Sequence, residues 1–172
     1  MKLSDAPLLS VAQIEWRIGE LASDISARYA GKEPILIVVL KGAGVFAVDL
    51  MRRMSVPSRF EYIRARSYAG TESRGHVEIT VMPDHSLANE DLIVVEDILD
   101  TGRTTHAVME RLRQENPASL ALCTLLDKPS RRVMPVKADF TGFQIDNVFV
   151  VGYGLDFNDR YRALPDIRVL EE

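Results

Sequence analysis

Ten consecutive residues, Glu96-Asp-Ile-Leu-Asp-Thr-Gly-Arg-Thr-Thr105, hold three carboxylates, three hydroxyls and a glycine. They follow the apolar run Leu92-Ile-Val-Val95 and lead into a helical pattern. A strand-to-helix turn exposes backbone N–H groups at a helix N-terminus, where the helix dipole favours an anion. Thr101, Thr104 and Thr105 can add hydroxyl donors, and Gly102 lets the backbone approach a phosphate closely. The pattern is neither G-x-x-x-x-G-K-[ST] nor G-x-G-x-x-G. Glu96, Asp97 and Asp100 would repel a bare phosphate. They make sense beside a sugar, whose hydroxyls bond to carboxylates, with Mg²⁺ screening the charge.

Three other apolar runs end on chemically useful residues. Lys41-Gly42-Ala43-Gly44 follows Leu40, Asp127 and Lys128 follow Leu126, and Gly152, Tyr153 and Asp156 follow Val151. In open α/β sheets, ligands bind beyond the carboxyl ends of the strands. Four such strand ends together point to one site.

The elements that must position these residues are legible in outline. Ser10 and Gln13 form a capping-box pattern, and Val11, Ile14, Ile18, Leu21 and Ile25 recur at helical spacing, with Gly31 as the C-terminal cap. Ile35 to Leu40 is short, β-branched and apolar throughout, as expected of a strand covered on both faces. A helix from Val45 to Met54 and a strand from Arg59 to Ser67 follow. Tyr68 to Gly75 is polar and glycine-containing, a mobile loop. Val77, Ile79 and Val81 alternate with polar residues, predicting a half-exposed strand paired in a hairpin. Leu92–Val95 is a buried strand, followed by a helix ending near Asn116-Pro117. Ser119–Leu126 and Asn147–Val151 complete the strands. Strands alternating with helices predict an α/β fold with a central, mainly parallel sheet.

The chain has 172 residues without repeats or low-complexity linkers, which suggests one domain over 1–172. Its 21 basic and 25 acidic residues leave a net charge of −4, against the basic excess of a dedicated nucleic-acid binder. A single Cys123 excludes an internal disulfide or a cysteine-based zinc site. Trp16 is expected in packing or an interface. No signal-peptide pattern or membrane-length apolar run occurs, so the expected compartment is the cytoplasm, with no membrane or nucleic-acid partner.

Val94-Val-Glu-Asp-Ile-Leu-Asp-Thr-Gly-Arg-Thr-Thr105 closely resembles the phosphoribosyl-pyrophosphate motif of type I phosphoribosyltransferases. Leu40-Lys41-Gly42 resembles the pyrophosphate loop of the hypoxanthine-guanine, or 6-oxopurine, branch. Ser67-Tyr68 opens what looks like its catalytic loop. Leu126-Asp127-Lys128 matches its purine-contacting strand end, and Phe149 to Asp156, with Arg162, resembles its purine-binding hood. The resemblance runs from about residue 35 to 170.

The resemblance implies transfer of a 5-phosphoribosyl group to hypoxanthine or guanine through an oxocarbenium-like transition state. It implies that Asp100 is the acid/base group near purine N7, although, read alone, Asp100 would be a helix N-cap. Glu96 and Asp97 are implied for the ribose hydroxyls and, with Asp156, for Mg²⁺. Thr101, Gly102, Arg103, Thr104 and Thr105 are implied for the 5′-phosphate, and Lys41, Gly42 and Arg162 for pyrophosphate, often with a cis peptide at Lys41-Gly42. Lys128 is implied as donor to purine O6, with Phe149 stacking on the base and the Val150 backbone at its edge. Ser67 and Tyr68 would cap the closed site, from a mobile loop at about 67–76. N- and C-terminal segments, the latter at about 147–172, would form a small hood, and the chain would assemble as a homodimer or homotetramer. Two alternatives remain: an RNA-binding regulator on the same fold, and an enzyme using xanthine or a pyrimidine.

Overall fold

In the computed structural model, which describes residues 2–67 and 77–171, the apolar runs Ile35–Leu40 and Leu92–Val95 are strand segments covered on both faces. Tyr68 and the rest of the expected mobile loop up to His76 lie outside the described residues. The elements are β1 (Lys2–Leu3), α1 (Val11–Arg28), β2 (Ile35–Leu40), α2 (Ala43–Met51), β3 (Arg59–Ser67), β4 (Val77–Val81) and β5 (Asp91–Leu99). They continue with α3 (Arg103–Arg113), β6 (Ser119–Asp127), a 3₁₀ turn (Pro129–Arg131), β7 (Phe140–Gln144), β8 (Val150–Val151) and β9 (Arg168–Glu171).

The main sheet has the order β4-β3-β2-β5-β6-β7. All neighbours are parallel except the β3–β4 hairpin, where Ser67 pairs with Val77. Successive residues of β2 and β5 alternate between two cores. Leu36, Val38, Ile93 and Val95 pack with Ile14, Ile18 and Leu21 of α1 and Phe46 and Leu50 of α2. Ile35, Ile37, Leu92 and Val94 pack with Val108 and Leu112 of α3 on the other face. Covering both faces explains the uninterrupted apolar runs. A three-stranded antiparallel sheet, β1-β9-β8, is built from the two ends of the chain.

α1 carries the expected capping box, with the Ser10 N–H donating to Gln13 Oε1 at 2.9 Å. Its buried stripe is Ile14, Ile18, Leu21 and Ile25, while Val11 and Trp16 are exposed. The exposure of Trp16 removes it from the core. The helix ends at Arg28 with Tyr29 as its cap. α2 starts immediately after Gly42, two residues before the predicted Val45, and ends at Met51. α3 ends at Arg113, short of Asn116.

Two strand assignments change. Val150–Val151 belongs to the small sheet, where it pairs with Val169 and Arg168. The edge strand of the main sheet is instead Phe140–Gln144, beside Cys123 to Asp127. Its sequence Phe-Thr-Gly-Phe-Gln hides it, because a central glycine weakens a strand signal. That glycine is needed for space: a Cβ on Gly142 would lie 2.4 Å from the Leu125 carbonyl oxygen. Among the described residues, no helix is long and apolar enough to cross a membrane.

Cys123 lies in the centre of β6 with no solvent exposure, and burial pushes its thiol well above the usual range. A buried thiol is inert while the fold holds. In the native protein a thiol reagent should therefore label Cys123 only at the rate of unfolding, with prompt labelling in denaturant. Rapid labelling of the native protein would contradict this core.

Candidate active site

Between β2 and β5 the strand order reverses, with β2 leading outward to β3 and β5 to β6. Ligands in open α/β sheets bind at such a switch point. β2 bridges β5 only from Ile35 to Val38, opposite Leu92 to Val95. Beyond Val95, β5 continues to Leu99 with, among the described residues, β6 alone beside it. Glu96 and Asp97 are therefore strand residues, not the turn residues the sequence suggested. The ladder to β6 keeps this stretch extended.

The gap forms a cleft of about 320 Å³, lined by Lys41, Gly42, Glu96, Asp97, Asp100, the residues from Thr101 to Thr105, Asp156 and Arg162. A second hollow of about 270 Å³ holds Lys128, Phe149 and Val150. The two compartments share Asp97, Ile98, Asp100 and Asp156. Every expected site residue other than Ser67 and Tyr68 lines one or both. Ser67 ends β3, and Tyr68 lies outside the described residues.

At the first compartment's floor, the Asp97 carboxylate occupies the space of a missing side chain. A Cβ on Gly42 would lie 1.6 Å from Asp97 Oδ2. Gly42 has ordinary helical dihedrals, so space alone demands glycine there. The cis peptide bond is Leu40–Lys41, one bond ahead of the Lys41-Gly42 pair.

At the anion end, α3 starts at Arg103 with Gly102 as its N-cap at φ +81°, a left-handed conformation suited to glycine. Asp100 is thus not the helix cap. Thr105 is buried within hydrogen-bonding reach of Glu96, which turns its hydroxyl toward the acid pair. The Thr101 hydroxyl accepts from the Arg103 N–H at 3.5 Å. The principal donors for an anion are then the backbone N–H groups of the first helical turn.

Opposite them, Lys41 Nζ lies 3.0 Å from Asp159 Oδ1. Arg162 Nη2 lies 2.7 Å from Asp156 Oδ1 and 3.4 Å from Asp159 Oδ1. Two cations thus converge on one exposed carboxylate. The Lys41 ammonium holds the Asp159 carboxyl below its usual range. Asp159 was missed in the sequence, where its only signal was an acid in the turn between Asp156 and Arg162.

In the second compartment, buried Lys128 donates from Nζ to the Val148 carbonyl at 2.7 Å. An ammonium has three donors, so two remain. Burial lowers the Lys128 pKa, and the Asp100 charge opposes that shift. Asp100 Oδ1 accepts from Arg131 Nε at 3.2 Å. Phe149, 51% exposed, meets Phe157 edge to face at 5.7 Å and offers its surface to the hollow. As an isolated aromatic it would more often be core; here it is not.

Among the described residues, no three His, Cys, Asp or Glu side chains form a cluster that could hold a metal ion. Glu96, Asp97 and Asp156 face one cleft without closing on one point. Mg²⁺ usually takes one or two carboxylates together with substrate phosphate oxygens and water. The hard oxygen donors present fit that mode of binding.

A helix start with N–H donors, a buried acid pair and an adjoining hollow meet at a switch point of this α/β sheet. A model of the phosphoribosyl transferase domain matches residues 8–158. The hypoxanthine phosphoribosyltransferase of Salmonella typhimurium is 42% identical over 168 residues, covering 96% of this chain and 94% of that protein. The hypoxanthine-guanine-xanthine phosphoribosyltransferase of Tritrichomonas foetus is 39% identical over 160 residues, covering 92% and 87%. A crystal structure of a hypoxanthine-guanine phosphoribosyltransferase from Bacillus anthracis superposes with a TM-score of 0.93 at 39% identity, covering 99% of this chain and 100% of that one. The chain belongs to the phosphoribosyltransferase family, in its hypoxanthine phosphoribosyltransferase branch.

Burial raises Glu96 well above the ordinary glutamate value of 4.5, and the charge of Asp97 adds to the rise. Burial raises Asp97 as well. A carboxyl raised on folding contributes no penalty below its unfolded pKa, and it costs stability as pH climbs through its folded pKa. Without ligand, Glu96→Gln should therefore melt higher than the parent, and the difference should grow as pH rises from about 4.5 toward 8. A difference in Tm that stays flat or shrinks over that range would contradict the buried acid pair.

Proposed function

We propose that this chain transfers a 5-phosphoribosyl group from phosphoribosyl pyrophosphate to hypoxanthine or guanine, releasing pyrophosphate and IMP or GMP. The observation that carries this is the meeting of an anion compartment and a base compartment at Asp97 and Asp100. The anomeric carbon must sit at that junction, because it is bonded to pyrophosphate before transfer and to the base afterwards.

In this reading, the start of α3 holds the 5′-phosphate, Glu96 and Asp97 hold the ribose hydroxyls, and Lys41, Gly42 and Arg162 face pyrophosphate. The bond from the anomeric carbon to the pyrophosphate oxygen breaks as its bond to purine N9 forms. The base loses one proton in that exchange. Asp100, near N7, accepts it and stabilises the positive charge on the base. Lys128 offers only donors, which match the O6 of a 6-oxopurine and oppose the amino group of adenine. Phe149 stacks on the base, whose edge meets the Val150 backbone. Mg²⁺, held through Glu96, Asp97 and Asp156, would neutralise pyrophosphate when bound. The segment at about 67–76, with Ser67 and Tyr68, would exclude water from the oxocarbenium-like centre. The chain acts as one catalytic domain, in the cytoplasm, within a homodimer or homotetramer.

Phosphoribosyl pyrophosphate, Mg²⁺ and either hypoxanthine or guanine should give saturable pyrophosphate release with formation of IMP or GMP. No release with either base would overturn the proposal. Asp100→Asn should lower kcat by about 10²–10⁴-fold while changing the Kd of phosphoribosyl pyrophosphate far less. An unchanged kcat would remove Asp100 from the chemistry.

A further inference from the structure

Three consecutive carbonyls of the acidic turn, those of Leu99, Asp100 and Thr101, accept from one short segment outside the cleft, and Leu99 O is shared with the Lys128 N–H at 3.0 Å. Arg132 donates from Nη2 to Leu99 O at 3.0 Å and from Nε to Asp100 O at 2.9 Å. The N–H groups of Val133 and Met134 donate to Thr101 O at 3.0 and 3.2 Å. The guanidinium is itself anchored. Its Nη1 donates to Val136 O at 2.7 Å, and its Nη2 pairs with the Asp127 carboxylate at the end of β6. Its side chain is only 16% exposed, and its stem runs beneath Gly102, where a Cβ would meet Arg132 Cδ at 2.9 Å.

A planar trans peptide points its N–H opposite to its C=O. Turning the carbonyls of residues 99 to 101 toward the 132–134 segment turns the N–H groups of Asp100, Thr101 and Gly102 the other way. Those residues wall the cleft, and residues 132 to 134 do not. We infer that Arg132, together with the Val133 and Met134 N–H groups beside it, forms a positioning segment that sets the polarity of the anion-binding turn, without touching substrate. Only a planar fork suits the task. Four acceptors at separate points share one guanidinium, whereas a lysine ammonium is a point charge with three donors. The inference rests on the proposed activity, because it assigns the turn to a 5′-phosphate.

Comparing IMP with inosine, the same nucleoside without its phosphate, tests both layers. The parent should bind IMP more tightly than inosine; equal affinities would mean that the proposed activity itself is wrong. In Arg132→Lys the preference for IMP should fall by roughly tenfold or more, the scale of one or two lost hydrogen bonds to a charged group, while the Kd of inosine stays close to the parent value. Equal weakening of both ligands, or no change in either, would overturn the positioning role. Should Arg132→Lys fail to fold, Val133→Pro removes one donor to Thr101 O at an exposed residue. Arg132 already has the extended dihedrals a following proline requires. That variant should lose about fivefold in the same preference, and an unchanged ratio would overturn the inference equally.

Discussion

Past Val95, β5 has β6 on one side and, among the described residues, no strand on the other, and the site follows from that asymmetry. A strand with both neighbours spends its backbone groups on the ladder. One that outruns a neighbour offers a free edge to something else, and here that edge faces the cleft. The Lys41-Gly42 turn closes the far wall, and the Asp97 carboxylate fills the room left by Gly42. The hood then settles against the same turn. A Cβ on Gly154 would lie 2.3 Å from Gly42 O, so the C-terminal segment packs directly onto it. Strand lengths, two glycines and the hood thus belong to one packing problem.

That arrangement concentrates negative charge where water is scarce. Burial pushes the carboxyls of Glu96 and Asp97 upward, because an isolated charge is costly away from water. Arg162 partly offsets the rise at Asp97; around the pair, Arg162 also bonds Asp156, Lys41 bonds Asp159, and Arg131 bonds Asp100. All three pairs are at least partly exposed, so each is exchangeable at small cost. A phosphorylated substrate with a divalent cation could take over these partners. The net charge of −4, which describes only a mildly acidic protein, is in this respect local: several of its carboxylates converge on one cleft.

Much of this was legible in the residues. The run from Glu96 to Thr105 combines types that chance rarely assembles, and every expected residue with a described side chain lines the paired compartments. The apolar runs at Ile35–Leu40 and Leu92–Val95 signalled covered parallel strands because both of their faces are buried. What failed did so for physical reasons. β7 carries a glycine demanded by close approach to Leu125, so its local signal is weak. Val150–Val151 is apolar enough for the main sheet, but its partners are Val169 and Arg168 at the end of the chain. Glu96 and Asp97 are polar residues held in a strand by their neighbour β6. Arg132 bonds Leu99 and Asp100, and Asp159 bonds Lys41, partners far away in the sequence that no local spacing announces.

The central claim is that one cleft joins phosphoribosyl chemistry to a base compartment that reads a 6-oxo group through Lys128. The most direct measurement is kcat/KM for hypoxanthine against adenine, with the same phosphoribosyl pyrophosphate and Mg²⁺. A site built around a buried donor should favour hypoxanthine by about 10⁴-fold. Adenine used as well as hypoxanthine, or better, would contradict the account.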